Sequence, residues 1–173
     1  MKQELPKRKP MRLKHHDYST PGAYFITICT HRRMQILSTV GAVHEPPEIQ
    51  LTEQGRIVDR IINNLPPHLG VEIDRYVIMP NHIHLIIVIT DSEKLRAIRE
   101  SPLQGRSIIS KVIGYIKMNA SKAIHGEIGE GIIWQRLFYD HVIRNYDDYA
   151  NIVNYIVKNP DRWKQDRFYC ENG

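Results

Sequence analysis

Alternating and continuous runs of apolar residues predict four strands. Residues 23–31 alternate in character after the Pro21-Gly22 turn, which predicts a first strand. Two further runs within residues 71–90 lie on either side of a short Pro-Asn turn and predict an antiparallel hairpin. A last strand is predicted within residues 134–144, where apolar side chains again alternate with polar ones.

Three segments place apolar residues three and four positions apart, which predicts helices. The first begins at Thr52, a suitable N-cap, and ends before Pro66; Gly55 inside it costs about 1 kcal/mol relative to alanine. The second covers residues 107–125, and the third covers residues 146–158 after an Asn145 cap. Residues 34–50, 91–106 and 125–131 are rich in proline, glycine or charge and predict connections, the first of them with a short extended piece.

The order strand, helix, strand, strand, helix, strand, helix is the split βαβ pattern of ferredoxin-like and RRM-like folds. The sequence therefore predicts an α+β fold: a four-stranded antiparallel sheet with helices on one face, plus a C-terminal helix. We expect a basic N-terminal arm (residues 1–17), a single domain (residues 18–163) and a C-terminal tail (residues 164–173), because 173 residues are too few for two comfortable domains.

Composition narrows the class of protein. The chain is 42% hydrophobic and 25% charged, values that are ordinary for a globular protein. No apolar run approaches the roughly 20 residues of a transmembrane helix, and the basic start lacks the apolar stretch of a secretory signal. We therefore expect a cytoplasmic protein. Cys29 and Cys170 are far apart with no second cysteine near either, which excludes a C-x-x-C redox or zinc motif.

The charge of the chain suggests a polyanionic partner. Its formal net charge is +5 and its pI about 9.2. Six of the 24 lysine and arginine residues cluster in the first fourteen positions, an arrangement suited to contacts with phosphate groups. A solvated tail without a partner is an equally simple interpretation of this arm.

Two histidines begin the most apolar strand. His82 and His84 are separated by one residue, so their side chains share one face of the strand, with roughly 7 Å between their Cα atoms. Both imidazoles can reach one ion at that spacing. Two polar rings on a buried face also need a common partner. This favours a pair of histidine ligands to one metal ion over two unrelated hydrogen-bonded histidines.

One stripe of the second helix carries further polar groups. Lys111, Tyr115, Asn119 and Lys122 are three and four residues apart, about 120° around the helix from the centre of its apolar face. From that flank the Tyr115 hydroxyl could enter a cleft beside the sheet. The alternative is an amphipathic tyrosine that covers the edge of the core.

The histidine strand and the following tyrosine resemble the HUH endonucleases. The surrounding segments YFITICTHR, YVIMPNHIHLIIVI, WQRLFYDHVIR and YIVKNPDRW are similar to the single-tyrosine transposases, and specifically to the REP-associated tyrosine transposases of bacteria. The similarity extends over residues 18–163. It implies a nuclease and strand transferase that moves DNA without ATP, consistent with the absence of a phosphate-binding G-x-x-x-x-G-K-S/T loop.

The resemblance also implies the roles of individual residues. Tyr115 would attack a DNA phosphodiester and form a 5′-phosphotyrosine link, while His82, His84 and Asn119 would hold a divalent metal, magnesium or manganese. Two imidazoles by themselves would favour zinc or another transition metal, so magnesium or manganese is an implication of the family. Asn119 stands where related insertion-sequence transposases carry glutamine, four residues after the tyrosine; both amides offer a carbonyl oxygen.

The substrate implied by the resemblance is single-stranded DNA folded into the hairpin of a repetitive extragenic palindrome. A cationic track for the backbone suits such a partner. The sequence does not indicate whether the protein is a monomer or a homodimer, or whether Tyr115 would serve the histidines of its own chain or those of a partner. Candidate phosphate contacts are Lys7, Arg8, Lys9, Arg12, Lys14, Arg32, Arg33, Arg106, Lys111 and Lys122.

Two other functions are compatible with parts of the pattern. A nucleotide hydrolase of the histidine-triad type would carry a third alternating histidine, but that position is Ile86. A non-catalytic module that only binds single-stranded DNA or hairpins would need neither the histidine pair nor the tyrosine in working geometry.

Overall fold

A computed structural model describes residues 17–41, 48–90, 107–128 and 131–170 of the chain. In these ranges the predicted order of elements is confirmed, with one additional small sheet. The strands are β1 (Gly22–Cys29), β2 (Ser38–Val40), β3 (Ile49–Leu51), β4 (Val71–Ile78), β5 (His82–Ile89) and β6 (Tyr139–Ile143), and the helices are α1 (Glu53–Asn63), α2 (Ile108–Ile128) and α3 (Tyr146–Lys158).

Four strands form the predicted antiparallel sheet, and their order in it is β4-β5-β1-β6. β5 is paired on both edges because its continuous apolar run can be buried on both faces. Its pairing with β1 places Thr27 opposite His84 and Cys29 opposite His82. The histidine pair therefore lies at one end of the two central strands, where neighbouring loops can reach it.

The short extended piece predicted within residues 34–50 is a two-stranded antiparallel sheet of β2 and β3. The Ser38 hydroxyl donates to the Ile78 carbonyl of β4 at 2.9 Å, which ties β2 to the main sheet. The residues between Gly41 and Glu48 lie outside the described part of the chain.

The start of α1 explains the glycine inside it. The Thr52 hydroxyl accepts a 3.1 Å hydrogen bond from the Gly55 amide, so Thr52 is the predicted N-cap. A Cβ atom on Gly55 would come within 1.9 Å of the Leu37 carbonyl oxygen. The glycine thus permits the first turn of the helix to lie directly on the loop before β2.

The helices lie on both faces of the sheet. α1 and α2 share the larger core with the face of β5 that presents Ile83 and Leu85. α3 packs Ile152 and Ile156 against Ile86 on the opposite face. The prediction of two helices on one face, plus a C-terminal helix, is confirmed, and the C-terminal helix covers the face to which the histidines belong.

The predicted bounds of the helices are close to the observed ones. α3 occupies the predicted residues, and its Asn145 cap accepts a 2.8 Å hydrogen bond from the Asp148 amide. α2 continues through Gly126, three residues beyond its predicted end. In the described part of the chain no helix has the length and apolarity needed to cross a membrane.

Candidate active site

The two histidines of β5 form a buried pair. His82 is 0% exposed and His84 is 1% exposed. Their Nε2 atoms are 2.9 Å apart, so both rings point at the same location. This geometry follows from the one-residue spacing in a strand, and it confirms that the two side chains share a face.

A neighbouring oxygen fixes the far nitrogen of each ring. His82 Nδ1 donates to the Asn81 side-chain oxygen at 2.9 Å, which leaves its Nε2 as an acceptor. His84 Nδ1 lies 2.8 Å from the Thr27 hydroxyl. Orientation of an imidazole through its other nitrogen is typical of metal-ligating histidines.

Burial favours the neutral form of both rings. It lowers the pKa of His82 to about 3, with smaller contributions from the charges of Arg33 and Arg167. It also lowers the pKa of His84 well below its usual value, and the neighbouring His82 lowers it further. Neutral imidazoles keep the lone pairs that a metal ion requires.

Asp166 and Asn159 complete a cluster around the pair. One ligand atom each from His82, His84 and Asp166 lie within 4.8 Å of one another. The Asn159 amide donates to the Asp166 carboxylate at 2.9 Å. The Asn159 side-chain oxygen is buried and has no hydrogen-bond partner among the described residues, so it is available to a ligand.

A tyrosine of α3 is in direct contact with this cluster. The Tyr155 hydroxyl lies 3.2 Å from His84 Nε2 and donates a 2.8 Å hydrogen bond to Asp166. Its side chain is nevertheless 39% exposed. Burial, followed by the hydrogen bond to Asp166, raises the pKa of Tyr155 above its usual value, so these groups stabilise the protonated phenol.

The chain after α3 packs over the histidines. The buried Phe168 ring has its centroid 4.7 Å from that of His82. The guanidinium groups of Arg33 and Arg167 each lie 4.4 Å from the same ring. The Asn81 amide donates to the Phe168 carbonyl at 2.9 Å. In the described residues, the segment predicted to be a tail thus forms one wall of the site.

The structure does not bring Tyr115 to the histidines. Tyr115 and Asn119 belong to α2, which packs on the sheet face opposite to the one that His82 and His84 share. The Asn119 amide instead donates to the Tyr115 carbonyl at 2.8 Å, within the helix. The sequence had left open whether Tyr115 serves the histidines of its own chain or those of a partner. Within one chain the sheet separates Tyr115 and Asn119 from the histidines, so these two side chains do not complete the site there.

The sequence contained a signal for the helix that adjoins the histidines. Tyr155 and Asn159 have the same four-residue spacing as Tyr115 and Asn119, and they lie in the segment YIVKNPDRW that supported the resemblance. Both pairs fit the pattern of a tyrosine followed by an amide. Only the side of the sheet on which each helix packs distinguishes them.

The cationic candidates are widely separated. Arg32 and Arg33 lie in the turn after β1, with φ values of 49° and 61°, and Arg33 borders the site through Phe168. Lys111 and Lys122 lie on α2, behind the sheet. Their role in DNA contacts stays a prediction. The remaining candidates lie outside the described residues: Lys7, Arg8, Lys9, Arg12, Lys14 and Arg106.

A cavity of about 530 Å³ adjoins His84 and Tyr155. Phe25 and Ile152 form apolar parts of its wall, and Asp140 and Asp148 add acidic groups. Its size lies within the range of small-molecule pockets. A substrate group could therefore reach the tyrosine hydroxyl from this side of α3.

Comparison with known proteins finds sequence relatives in two bacteria. The chain is 34% identical to an uncharacterized protein of Haemophilus influenzae, with 95% of this chain and 94% of that protein covered. It is 32% identical to a second protein of that organism, provisionally named a REP-associated tyrosine transposase, with 83% and 73% covered. It is 27% identical to the REP-associated tyrosine transposase of Escherichia coli, with 83% and 68% covered. No family model matches the chain.

A solved structure has the same fold. It is a REP-associated tyrosine transposase bound to a REP hairpin, with a TM-score of 0.60 and 25% sequence identity, and the match covers 90% of this chain and 77% of that one. Two of the sequence relatives and the structural relative carry the same family name. The chain belongs to the REP-associated tyrosine transposase family.

Proposed function

We propose that this protein is a metal-dependent nuclease and strand transferase that cuts single-stranded DNA beside a hairpin and uses Tyr155 as its nucleophile. The observation that carries the proposal is the position of the Tyr155 hydroxyl, 3.2 Å from His84 Nε2 and hydrogen-bonded to Asp166. Tyr155 takes the role that the sequence had given to Tyr115. The name of the solved relative, which is bound to a REP hairpin, supports a hairpin of this kind as the substrate.

The residues around Tyr155 fit a divalent metal. His82, His84 and Asp166 offer two neutral nitrogens and a carboxylate oxygen, and the unpaired oxygen of Asn159 is a further candidate in the role first given to Asn119. A carboxylate suits magnesium or manganese better than a set made only of imidazoles. When bound, the metal would polarise the scissile phosphate and stabilise its charge.

The chain's own residues would carry out the covalent step. Asp166 accepts the hydrogen bond of the phenol and is placed to take its proton. The Tyr155 oxygen would then form a bond to phosphorus while the bond to the 3′ oxygen breaks. The leaving oxygen takes up a proton and becomes a 3′-hydroxyl. The phosphotyrosine link conserves the phosphodiester, so rejoining needs no ATP.

Two tyrosine-to-phenylalanine variants test this assignment. We expect Tyr155→Phe to abolish the covalent adduct with a labelled hairpin oligonucleotide, a loss of at least about 10³-fold, because phenylalanine has no nucleophilic oxygen. Binding of the hairpin should stay within about threefold. The matched control is Tyr115→Phe on α2, which should form the adduct at the wild-type rate.

The outcomes separate the two assignments and the alternative of a binding module. An adduct that persists in Tyr155→Phe and disappears in Tyr115→Phe would overturn the proposal. Hairpin binding by the wild-type protein, with neither cleavage nor adduct at any concentration of magnesium or manganese, would leave a module that only holds DNA.

A further inference from the structure

We infer that the cleft on the outer side of α3 binds the single-stranded flank of the substrate through its phosphate backbone. This inference rests on the proposed function, because it takes Tyr155 as the point at which the strand is cut. It adds residues that no part of the sequence pattern had indicated as DNA contacts.

The cleft begins at the nucleophile. It has a volume of about 470 Å³, and Tyr155 and Asp166 are among the residues that line it. Tyr155 also lines the 530 Å³ cavity on the other side, so its phenol lies between the two spaces. A strand whose phosphate reaches the Tyr155 hydroxyl therefore has two routes away from it.

The charges of the two spaces differ. The outer cleft has Lys158 and Arg162 in its walls together with the carboxylate of Asp166, and in the described part of the chain neither cation has a carboxylate within ion-pair distance. The cavity on the other side contains Asp140 and Asp148, and Arg167 borders both spaces, so the outer cleft is the more positive of the two. A polyanionic backbone is attracted by the first set and repelled by the second.

The shape of the cleft also suits an extended strand. Asn151, Asn154 and Lys158 are three and four residues apart on α3, so they form one stripe, and Arg162 continues it beyond the helix end. Amide groups and cations in a row can donate hydrogen bonds to successive phosphate oxygens. The 39% exposed ring of Tyr155 offers a surface for stacking a base.

Binding of flanked and unflanked hairpins tests the inference. Labelled oligonucleotides would carry an eight-nucleotide flank on the 5′ side, on the 3′ side, or on neither. We expect one flank to raise the affinity of the wild-type protein at least fivefold. The double variant Lys158→Gln with Arg162→Gln should lose this gain and bind all three oligonucleotides as it binds the bare hairpin. Its salt slope for the flanked hairpin should fall by about 1.4, since each single-strand phosphate contact contributes roughly 0.7.

The control removes the same charge elsewhere. Arg56→Gln with Arg60→Gln takes two exposed cations from α1, behind the sheet, and should keep the gain from the flank. Equal affinities of the wild-type protein for all three oligonucleotides, retention of the gain in the cleft variant, or its equal loss in both double variants would overturn the inference. Tyr155→Phe should keep the gain, so loss of the adduct in that variant tests the proposed function separately.

Discussion

The Tyr155 hydroxyl donates a 2.8 Å hydrogen bond to the carboxylate of Asp166, from a different segment of the chain. The same carboxylate lies within 4.8 Å of a ligand atom of each histidine. One side chain thus contacts the proposed nucleophile and belongs to the proposed metal set. Any change at Asp166 should therefore affect both metal binding and chemistry.

Asp166→Asn should weaken the binding of Mn²⁺ to the DNA-free protein at least tenfold, because an amide replaces a charged ligand. Titration followed by electron paramagnetic resonance measures this affinity without any reaction. Asp161→Asn, an exposed change five residues earlier, is the control. Unchanged Mn²⁺ affinity in Asp166→Asn would remove this carboxylate from the metal set.

Thr27→Val should weaken Mn²⁺ binding roughly 10- to 100-fold, although Thr27 itself is not in the ligand set. The change removes the hydroxyl that lies 2.8 Å from His84 Nδ1 and leaves a buried nitrogen without its partner. We also expect the free energy of unfolding to fall by about 1–3 kcal/mol. Thr39→Val, on the exposed side of β2, should change neither quantity. A normal Mn²⁺ affinity in Thr27→Val would show that the ring is oriented by other contacts.

The metal-free protein should lose stability as the pH falls from about 6.5 to 3. Burial lowers the pKa of His82 to about 3 in the folded state, so in this range the unfolded chain binds a proton that the folded chain does not. One such group contributes at most about 1.4 kcal/mol per pH unit. Urea unfolding in a chelator should show a smaller slope against pH for His82→Gln than for the wild-type protein. The exposed variant His68→Gln should keep the wild-type slope; identical slopes for all three proteins would contradict the prediction.

Two glycine-to-alanine changes should have opposite effects on stability. Gly55→Ala should lower the free energy of unfolding by about 2–3 kcal/mol, because the new Cβ would lie 1.9 Å from the Leu37 carbonyl oxygen and the backbone must shift. Gly114→Ala, on an exposed part of α2 with nothing within 4 Å of the new Cβ, should raise it by about 0.5–1 kcal/mol. Thermal unfolding of both variants measures the difference. If Gly114→Ala lowered the free energy of unfolding as much as Gly55→Ala does, the higher helix propensity of alanine would not determine the effect at position 114.

Local patterns in the sequence were sufficient for the elements and for the histidine pair. Helix α3 has its predicted bounds because Asn145 caps it and Pro160 follows it. The two histidines share a face because side chains alternate in any strand. Such features depend on neighbours within a few residues, and those neighbours are visible in the sequence.

The choice of tyrosine depended on packing instead. Tyr115 with Asn119 and Tyr155 with Asn159 have the same spacing on two amphipathic helices, so the local pattern does not distinguish them. Asp166 is an ordinary acidic residue in the sequence, and it meets His82 and His84 only because the chain turns back over the sheet after α3.

The sequence by itself determined the order of strands and helices and a buried pair of imidazoles, since hydrophobic period and strand alternation require no distant partner. The tertiary structure decided which helix covers the histidine face, and hence that Tyr155, Asn159 and Asp166 surround the pair. The physical reason is that a sheet has two sides. The side on which a helix buries its apolar face is fixed by packing among segments far apart in the chain, and this choice places α3 beside the histidines and α2 behind the sheet.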